Sequence, residues 1–479
     1  MKKILTILIA ILMVFSCFLM GCQLPMLQNP NNNDGGTSGD ASTDDGGSND
    51  SGSNDGGFDW DDVFGDDEDD NVDLDSGITS FSTSNLSKYS IVYDSNESDT
   101  YTAAVTLQAC FLIKYGIDLT IKSDRYSKDS NCEILIGDTN RYSASGKVMK
   151  YSVTVDGATL KINVGGLYSA QKAMEYLTQN VFTGKQVNLA SGEYYSKSFI
   201  TNTQGLTSGT TARIMTSNVL ADEFNTSADY NLASYRAEIY AGILGAYTPD
   251  VIGVQETDDN WNKVLDRYLA KVNREYSTNY QRAVTTYNDK VNFSSIIYRA
   301  DKFTLNNSGY TNFTWKSDAN LPNDNYYMRG VAWVQLTSKT NSSKKLVLAN
   351  THWSYGSEYQ NIKLTNGTTV TLHYCKGLCK NETVTKINSL KSTYSGMPLF
   401  LTGDFNASAS WFTSGGTYAS FSNTCSLLSS KVNKTPGTGT YDHIFGTGTY
   451  TVKSFVYIDG INEIDLLSDH PFAYSDVSF

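Results

Sequence analysis

The second half of the chain contains five short apolar runs that each end in polar residues. The runs occupy residues 214–218, 251–256, 295–299, 346–352 and 399–406. They are short and bounded on both sides, which is typical of strands buried in a sheet. Between them, residues 230–247 and 259–276 carry apolar side chains at helical spacing. The pattern predicts an α/β fold in which two packed mixed sheets lie between outer helices, a four-layer sandwich.

The length of the chain favours two folded domains. About 395 residues follow a low-complexity segment that ends near residue 84, which is more than one core normally accommodates. We expect domains at residues 85–205 and 206–479. The first is predicted to be a smaller α/β domain, since apolar alternation indicates strands and the spacing around Leu107 indicates a helix that Gly116 ends. The predicted strands are 89–93, 117–121, 132–136, 151–155 and 159–164, and the predicted helices are 100–115 and 165–180.

The first 22 residues predict export. Lys2 and Lys3 precede an apolar run at 4–18 that is too short to span a bilayer comfortably. The run ends in Leu19-Met20-Gly21-Cys22, which resembles the lipobox of bacterial lipoproteins, whose signal peptidase cleaves before the cysteine that carries the lipid. The resemblance implies a signal peptide at 1–22 and a protein anchored through Cys22 on the extracellular face of a bacterial membrane. An ordinary secretory signal with an incidental cysteine is the alternative.

Residues 23–84 consist largely of Asn, Asp, Gly and Ser. They contain 16 of the 50 acidic residues and no Lys or Arg, so the formal net charge of −13 arises from this segment. Such a composition cannot bury enough apolar surface to offset the entropy lost on ordering. We interpret the segment as a disordered acidic linker. Because the remainder is near neutral, charge neither favours nor excludes nucleic acid as a substrate.

Five cysteines remain beyond the signal segment and the lipobox. In an exported protein they allow up to two disulfides and one free thiol, and Cys110 with Cys132 is a candidate pair. His373, Cys375 and Cys379 suggest a zinc knuckle only weakly, because the spacing is poor and no fourth ligand is evident. His373 lies in an alternating run and is interpreted as structural.

Two further segments place a histidine beside an aspartate. They are Tyr441-Asp442-His443 and Ser468-Asp469-His470. Together with His352 at a polar strand end, they account for three of the four histidines of the chain. If these segments converge with the polar strand ends, carboxylates can hold a metal ion while a histidine acts as general base.

In chain order, these segments resemble the endonuclease/exonuclease/phosphatase superfamily, which includes pancreatic-type deoxyribonucleases, abasic-site endonucleases, neutral sphingomyelinases and inositol-polyphosphate phosphatases. The resemblance spans about residues 212–479. The matching residues are Asn218, Gln255-Glu256, Asn350-Thr351-His352, Gly403-Asp404-Phe405-Asn406, Tyr441-Asp442-His443 and Ser468-Asp469-His470.

The resemblance implies a metal site formed by Glu256, Asp469 and Asn218. Glu256 would ligate the cation directly, Asp469 would be the second acidic residue near it, and Asn218 would support the cation or a phosphate oxygen. Oxygen ligands favour Mg²⁺, with Mn²⁺ or Ca²⁺ as substitutes.

The resemblance also implies catalytic roles for five residues. His470 would be the general base for an attacking water, and Asp442 would hold its ring and tautomer. Asp404 and Asn406 would orient the nucleophile and bind the phosphate. His352 would donate a hydrogen bond to the negative charge that develops on the phosphate oxygens.

Three further features concern the substrate pocket. Arg329 is a candidate phosphate contact, and a surface salt bridge is an equal alternative. In the nuclease branch an acidic residue orients the histidine that corresponds to His352, and Asn292 is the substitute that this sequence offers. Residues 354–378 form an insertion that we expect to fold as a hairpin near the site.

The smaller domain resembles the non-catalytic N-terminal α/β domain found beside β-hexosaminidases and α-glucuronidases. The residues that carry this resemblance are Ala103-Ala104-x2-Leu107, Glu133-Ile-Leu-Ile-Gly137 and Gly165-Gly166 ahead of a helix. It implies no catalytic residues, and glycan contact by residues 85–205 is a hypothesis for its role.

The leading functional hypothesis is a divalent-metal-dependent phosphodiesterase at the cell surface that acts as a monomer on nucleic acid or phospholipid head groups. A phosphomonoesterase acting on sugar or inositol phosphates is the alternative enzyme. An inactive carbohydrate-binding surface lipoprotein is the competing class. The presence of Glu256, Asp404, Asn406, Asp469 and His470 favours an enzyme.

Overall fold

The computed structural model describes residues 78–479, with gaps at 129, 143–145, 201–203, 223–232, 285, 288–289, 292, 314–328, 356–358, 364–366, 368, 374, 435–439 and 460–461. The predicted signal peptide with Cys22 and most of the predicted linker therefore lie outside the described residues. In the part of the chain that is described, no helix is both long and apolar enough to cross a bilayer.

The first part of the described chain forms a six-stranded sheet, a separate pair of short strands and two α-helices. Its elements are β1 (Phe81–Ser82), β2 (Ser90–Tyr93), α1 (Ser98–Tyr115), β3 (Thr120–Ser123), β4 (Glu133–Ile136), β5 (Lys150–Asp156), β6 (Thr159–Val164), α2 (Leu167–Tyr176), β7 (Asn188–Leu189) and β8 (Gly192–Ser198). The strand order is β3-β2-β4-β6-β5-β8, parallel from β3 to β6 and antiparallel at β5 and β8. As predicted, α1 ends at Gly116, whose φ of 71° is readily adopted by glycine.

Three details of this part differ from the sequence predictions. The strand predicted at 117–121 is β3 at Thr120–Ser123, because the chain uses residues 117–119 to cross from α1 to its pairing position beside β2. β8 was not predicted, since most of its side chains are exposed and lack apolar alternation. The linker does not extend to residue 84, because the fully buried Phe81 lies in β1, which pairs with β7.

The predicted disulfide between Cys110 and Cys132 is absent. Both thiols are buried in the core of this part, and neither forms a disulfide. Cys379 and Cys425, in the second part, are also buried and form no disulfide. Burial in apolar surroundings raises the pKa of Cys110 and of Cys425, which keeps both thiols protonated and unreactive.

The second part contains the predicted four-layer sandwich. Its strands are β9 (Ala212–Asn218), β10 (Val251–Gln255), β11 (Tyr280–Ala283), β12 (Thr286–Tyr287), β13 (Lys290–Val291), β14 (Ile296–Arg299), β15 (Phe303–Asn312), β16 (Gly330–Ser338), β17 (Lys345–His352), β18 (Tyr359–Lys363), β19 (Thr369–His373), β20 (Leu399–Asp404), β21 (Ser426–Leu427), β22 (Asp442–Thr447), β23 (Thr451–Ile458) and β24 (Phe472–Ser478). Its helices are α3 (Ala233–Tyr247), α4 (Asp259–Tyr276), α5 (Cys375–Thr393) and α6 (Asn462–Asp465).

Two six-stranded mixed sheets form the centre of the sandwich. Their orders are β11-β14-β10-β9-β24-β23 and β15-β16-β17-β20-β22-β21, and each contains one parallel pair, β9/β10 and β17/β20. Helices α3 and α4 cover the outer face of the first sheet, and α5 covers the outer face of the second. As expected, the insertion after His352 includes a hairpin, formed by β18 and β19.

The space between the two sheets changes from apolar to polar along the strands. Alternate residues of a strand face the same side of a sheet, so Leu346 and Leu348 enter the apolar core between the sheets, and Asn350 and His352 follow on the same face. The Asn350 side chain donates to the carbonyl oxygens of Val254 and Ser295 on the opposite sheet, at 2.9 Å each. This buried polar layer separates the apolar core from the strand ends.

Gly253 allows the two sheets to approach closely at this layer. A Cβ added at this position would overlap the side chains of Thr402 and Asn350. Glycine is therefore required here by packing rather than by backbone conformation, and the close approach places the ends of β10 and β17 beside each other.

The two parts of the chain are joined by buried polar contacts. Glu238 of α3, which is fully buried, accepts hydrogen bonds from the backbone N–H groups of Met149 and Ser169, both at 2.9 Å. Lys271 of α4 donates to the Gly165 carbonyl at 2.7 Å. A polar cavity of about 190 Å³ lies at this junction, and Lys271 lies at its wall in an ion pair with Glu97.

Replacing Gly253 by Ala tests the close approach of the sheets. We expect the free energy of unfolding to fall by about 1–3 kcal/mol, because an overpacked core must move its side chains or backbone apart. Denaturant unfolding measures this change. Gly205→Ala is the matched control, since nothing lies within 4 Å of its added Cβ. Equal stability of the two variants would contradict the role given to Gly253.

Candidate functional site

The predicted site residues meet at one edge of the sandwich. His352, Asp404 and Asp442 lie directly opposite one another across three neighbouring strands, because β17 pairs with β20 at His352↔Asp404 and β20 pairs with β22 at Asp404↔Asp442. Asn218 and Glu256 lie at the adjoining ends of β9 and β10 on the other sheet. All five residues are buried, with at most 7% of each exposed.

Glu256 is held firmly at this edge. Its Oε1 accepts a hydrogen bond from Asn218 Nδ2 at 2.9 Å, and its Oε2 accepts one from the Ala221 N–H at 3.0 Å. Its φ of 65° is in the left-handed region, which residues other than glycine seldom adopt and which is enriched at functional sites. The Asn218 oxygen accepts from the Leu220 N–H, so in this arrangement Asn218 positions Glu256 by donating to it.

Glu256, His352 and Asp404 offer one ligand atom each within 4.8 Å of one another. Among the described residues, no Lys or Arg forms an ion pair with Glu256 or Asp404. Buried carboxylates without a paired cation are costly, and a bound divalent cation would offset that cost. The carboxylate oxygens suit a hard cation such as Mg²⁺, Mn²⁺ or Ca²⁺. The residues present therefore fit a metal ion.

His352 is a neutral, fully enclosed imidazole. Burial lowers its pKa, and the charge of Arg329 lowers it further, against the opposing effect of Asp404. Its Nε2 lies 3.2 Å from Asp404 Oδ2 and 3.8 Å from Glu256 Oε1. Its Nδ1 has no hydrogen-bond partner among the described residues, and the Phe293 ring stacks beside it. Asn292, predicted to orient this ring, lies outside the described residues.

Asp442 and His470 form the predicted dyad. His470 Nδ1 donates to Asp442 Oδ2 at 2.6 Å, and its Nε2 lies 4.0 Å from Asp404 Oδ2. Burial raises the pKa of Asp442 to about 7. Burial also disfavours the charged form of His470, but the charges of Asp442 and Asp404 outweigh it and raise the His470 pKa well above its usual value. The two groups are coupled through this hydrogen bond and titrate as a pair.

Asp404 remains ionised beside these groups. Burial works against its charge, but His352 and His470 hold the pKa of Asp404 well below its usual range. Its Oδ1 accepts a hydrogen bond from the Asn406 N–H at 2.7 Å, which closes a tight turn after β20. Asn406 has a φ of 48° in this turn, a conformation that asparagine tolerates better than most residues.

Asn406 lies in the turn after β20, beside the paired ends of β17 and β20. Its Nδ2 donates to the Trp353 carbonyl at 3.1 Å and lies 3.4 Å from both His352 Nε2 and Asp404 Oδ2. The Asn406 side chain is half-buried, whereas those of His352, Trp353 and Asp404 are buried. It can therefore present its amide to a bound phosphate.

The structure places the other predicted residues less centrally. The Asp469 side chain is 52% exposed, and its Oδ1 lies 3.9 Å from His470 Nε2, so it borders the site instead of joining the compact group around Glu256. Arg329 is buried, and its Nη1 donates to the Trp353 carbonyl at 2.6 Å, so the surface salt bridge considered for it is wrong. His373 ends strand β19 of the hairpin.

Three supporting residues received no role from the sequence. Asn350 was matched as part of a motif. Its hydrogen bonds to two carbonyl oxygens on the other sheet depend on packing that no local sequence pattern reveals. His443 is buried, burial lowers its pKa to about 4, and its Nε2 donates to the Ala407 carbonyl at 2.9 Å. Lys376, at the start of α5, donates to the Asn406 carbonyl.

The fold and the site define an α/β sandwich with a candidate metal-binding edge. The model of the Endonuclease/Exonuclease/phosphatase family matches residues 215–470. This match covers more than half of the chain, and the chain belongs to that family.

Comparison with known proteins gives more distant similarities. Carbon catabolite repressor protein 4 homolog 3 from Arabidopsis thaliana is 25% identical over 186 residues, which are 38% of this chain and only 35% of that protein. An endonuclease/exonuclease/phosphatase from Bacteroides vulgatus is 18% identical with a TM-score of 0.40, covering 56% of this chain and 98% of that structure. A mannosyl-6-phosphatase from Bacteroides thetaiotaomicron is 16% identical with a TM-score of 0.39, covering 56% of this chain and 100% of that structure.

Glu256→Gln tests the metal site directly. We expect Mg²⁺ or Mn²⁺ to stabilise the wild type, by about 2.7 kcal/mol at a concentration 100 times the Kd, and to have little effect on the variant because a ligand charge is lost. Thermal unfolding and calorimetric titration measure this. Glu193→Gln on the exposed strand β8 is the control, and Asp469→Asn should weaken binding less. Equal metal affinity of wild type and Glu256→Gln would rule out the site.

Proposed function

We propose that this protein is a divalent-metal-dependent phosphodiesterase that acts outside the cell. The single observation that carries the proposal is the row formed by His352, Asp404 and Asp442, with Glu256 facing it from the other sheet. Membership of the family supports hydrolysis of phosphate esters as the reaction. The row brings together groups that can hold a cation, bind a phosphate and accept a proton.

Proton transfer is assigned to His470. Asp442 fixes the tautomer of the ring by accepting the Nδ1 proton, which leaves Nε2 directed toward Asp404 and available to take a proton from the attacking water. When His470 becomes protonated, the Asp442 carboxylate stabilises the resulting imidazolium. Asp442 thus both orients the His470 ring and stabilises its protonated form.

Phosphate binding is assigned to His352 and Asn406. The Asn406 amide is half-buried at the polar edge, and His352 Nε2 lies 3.4 Å from it. N–H donors held in place in this way stabilise negative charge on phosphate oxygens as it develops. Glu256 and Asp404 would hold the cation, with Asn218 positioning Glu256 and Asp469 at the border. When bound, the cation acts as a Lewis acid toward the phosphate.

The charge balance favours a diester over a monoester substrate. Arg329 and Lys376 bring positive charge to this edge, and both donate to backbone carbonyls. A diester carries one negative charge, whereas a phosphomonoester carries nearly two at neutral pH and requires more compensation. Nucleic acid and phospholipid head groups are the two diester classes that we propose. A phosphomonoesterase acting on sugar or inositol phosphates is the second candidate.

A hydrolysis panel tests this proposal. The substrates are plasmid DNA, RNA, sphingomyelin, inositol phosphates and the mono- and diesters of p-nitrophenyl phosphate. We expect turnover of at least one diester in Mg²⁺, loss of that turnover in EDTA, and recovery when the cation is restored. A protein that hydrolyses none of these esters, or that keeps full activity in EDTA after dialysis, would not be the enzyme proposed.

Variants assayed on the best substrate of this panel assign the roles. His470→Ala should lose about 10²–10⁴-fold in rate, the usual contribution of a general base. The rate of the wild type should rise with pH through a pKa above the ordinary 6.5 of histidine, because Asp442 and Asp404 raise the His470 pKa. Asp442→Asn should slow turnover and move this acid limb to lower pH. His373→Ala is the control and should keep near wild-type turnover; the reverse pattern would place the active site elsewhere.

Anchoring through Cys22 is proposed from the lipobox resemblance alone, since this residue lies outside the described part of the chain. We expect Cys22→Ala to be released or misprocessed when it is produced in a bacterial host, because the lipidated residue is gone. Membrane fractionation and the mass of the mature N-terminus measure this. Unchanged fractionation together with unchanged processing would refute lipidation. Glycan contact by residues 85–205 stays a prediction.

A further inference from the structure

Lys376 is a buried lysine beside the candidate site. It is the second residue of α5, directly after the inserted hairpin, and only 6% of it is exposed. Its ammonium donates to the Asn406 carbonyl and lies 5.2 Å from the centre of the Trp411 ring. Burial of an ammonium group is costly unless it is paired, and a carbonyl oxygen with an aromatic face compensates for it.

The carbonyl that Lys376 holds belongs to the tight turn after β20. Asn406 has a left-handed backbone, and its N–H is tied to Asp404 Oδ1 at 2.7 Å. The next carbonyl, that of Ala407, accepts from the buried His443 at 2.9 Å. Two buried side chains thus fix two successive carbonyl groups, and the direction of the Asn406 side chain follows from the fixed backbone.

The position of the Asn406 side chain matters because its amide lies among the reacting groups. Nδ2 is 3.4 Å from His352 Nε2 and 3.4 Å from Asp404 Oδ2. Without a donor on its carbonyl, the Asn406 backbone can rotate toward a conformation that ordinary residues prefer, and the amide would leave this place.

From this geometry we infer that Lys376 is a positioning residue: its ammonium holds Asn406 in the orientation that binds the phosphate during hydrolysis. The inference rests on the proposed function and extends it to a residue in the segment that follows the insertion. Lys376 contacts Asn406, and its part in positioning the phosphate is exerted through that residue and not by direct contact with the substrate.

A neighbouring lysine on the same helix provides a matched control. Lys380 lies one turn after Lys376 on α5, and its ammonium lies 5.8 Å from the centre of the Tyr418 ring, which contacts Trp411. The two lysines therefore share a helix and an aromatic platform, but the hydrogen bond to the turn after β20 belongs to Lys376.

The experiment compares Lys376→Met, Lys376→Arg and Lys380→Met on the best substrate of the hydrolysis panel. We expect Lys376→Met to lower kcat by about 10²-fold, the effect of a misplaced active-site group, with KM changed far less. Lys376→Arg keeps a charged donor and should restore part of kcat, while Lys380→Met should resemble the wild type. Wild-type kcat in Lys376→Met, or an equal loss in Lys380→Met, would overturn the inference.

A crystal structure of the Lys376 variants separates this inference from the proposed function. We expect Asn406 in Lys376→Met to leave its left-handed conformation and its Nδ2 to move off the Trp353 carbonyl, and Lys376→Arg to keep both. If Lys376→Met does not fold, Lys376→Gln takes its place in both measurements. An unmoved Asn406 overturns the inference even if the enzyme is active. A displaced Asn406 supports it even if the wild type hydrolyses none of the esters.

Discussion

The arrangement of the site depends on one buried amide. Asn350 spans the gap between the two sheets and donates to the carbonyl oxygens of Val254 and Ser295, at a position with no exposure to solvent. An apolar residue of the same size would leave both carbonyls without these donors, which is expensive in a dry interior. Because these bonds are directional, they fix how far one sheet can slide over the other. That offset is what brings Glu256 opposite His352.

Accumulated negative charge is the second constraint. Three buried carboxylates, Glu256, Asp404 and Asp442, lie within one small region, and histidine side chains and amide donors lie within hydrogen-bond distance of them. Such an arrangement lowers the stability of the fold at a place where function needs charge. The backbone of Glu256 is tolerated in a left-handed conformation because the hydrogen bonds around this residue hold it there.

Much of the site could be predicted from the sequence, because period-two alternation places His352 and Asp404 on the inner face and polar residues mark where strands leave the core. The four-layer fold followed from the same pattern. Other features depend on distant partners. Phe81 is buried in β1, which pairs with β7 about 100 residues further along the chain. The acidic linker therefore ends earlier than its composition indicated. Nothing local to Lys376 predicts that its ammonium reaches the turn after β20, since a lysine near a helix start is usually solvated.

The contacts between the two parts of the chain have an evolutionary consequence. Glu238 and Lys271 of the sandwich use the backbone of the preceding part of the chain as their hydrogen-bond partner, at Ser169 and Gly165 among other positions. If recombination joined the sandwich to a different preceding segment, these buried side chains would lose their hydrogen-bond partners. The two parts of the chain are thus constrained to be inherited together, and changes in the first that alter the path of its backbone require compensating changes in the helices of the second.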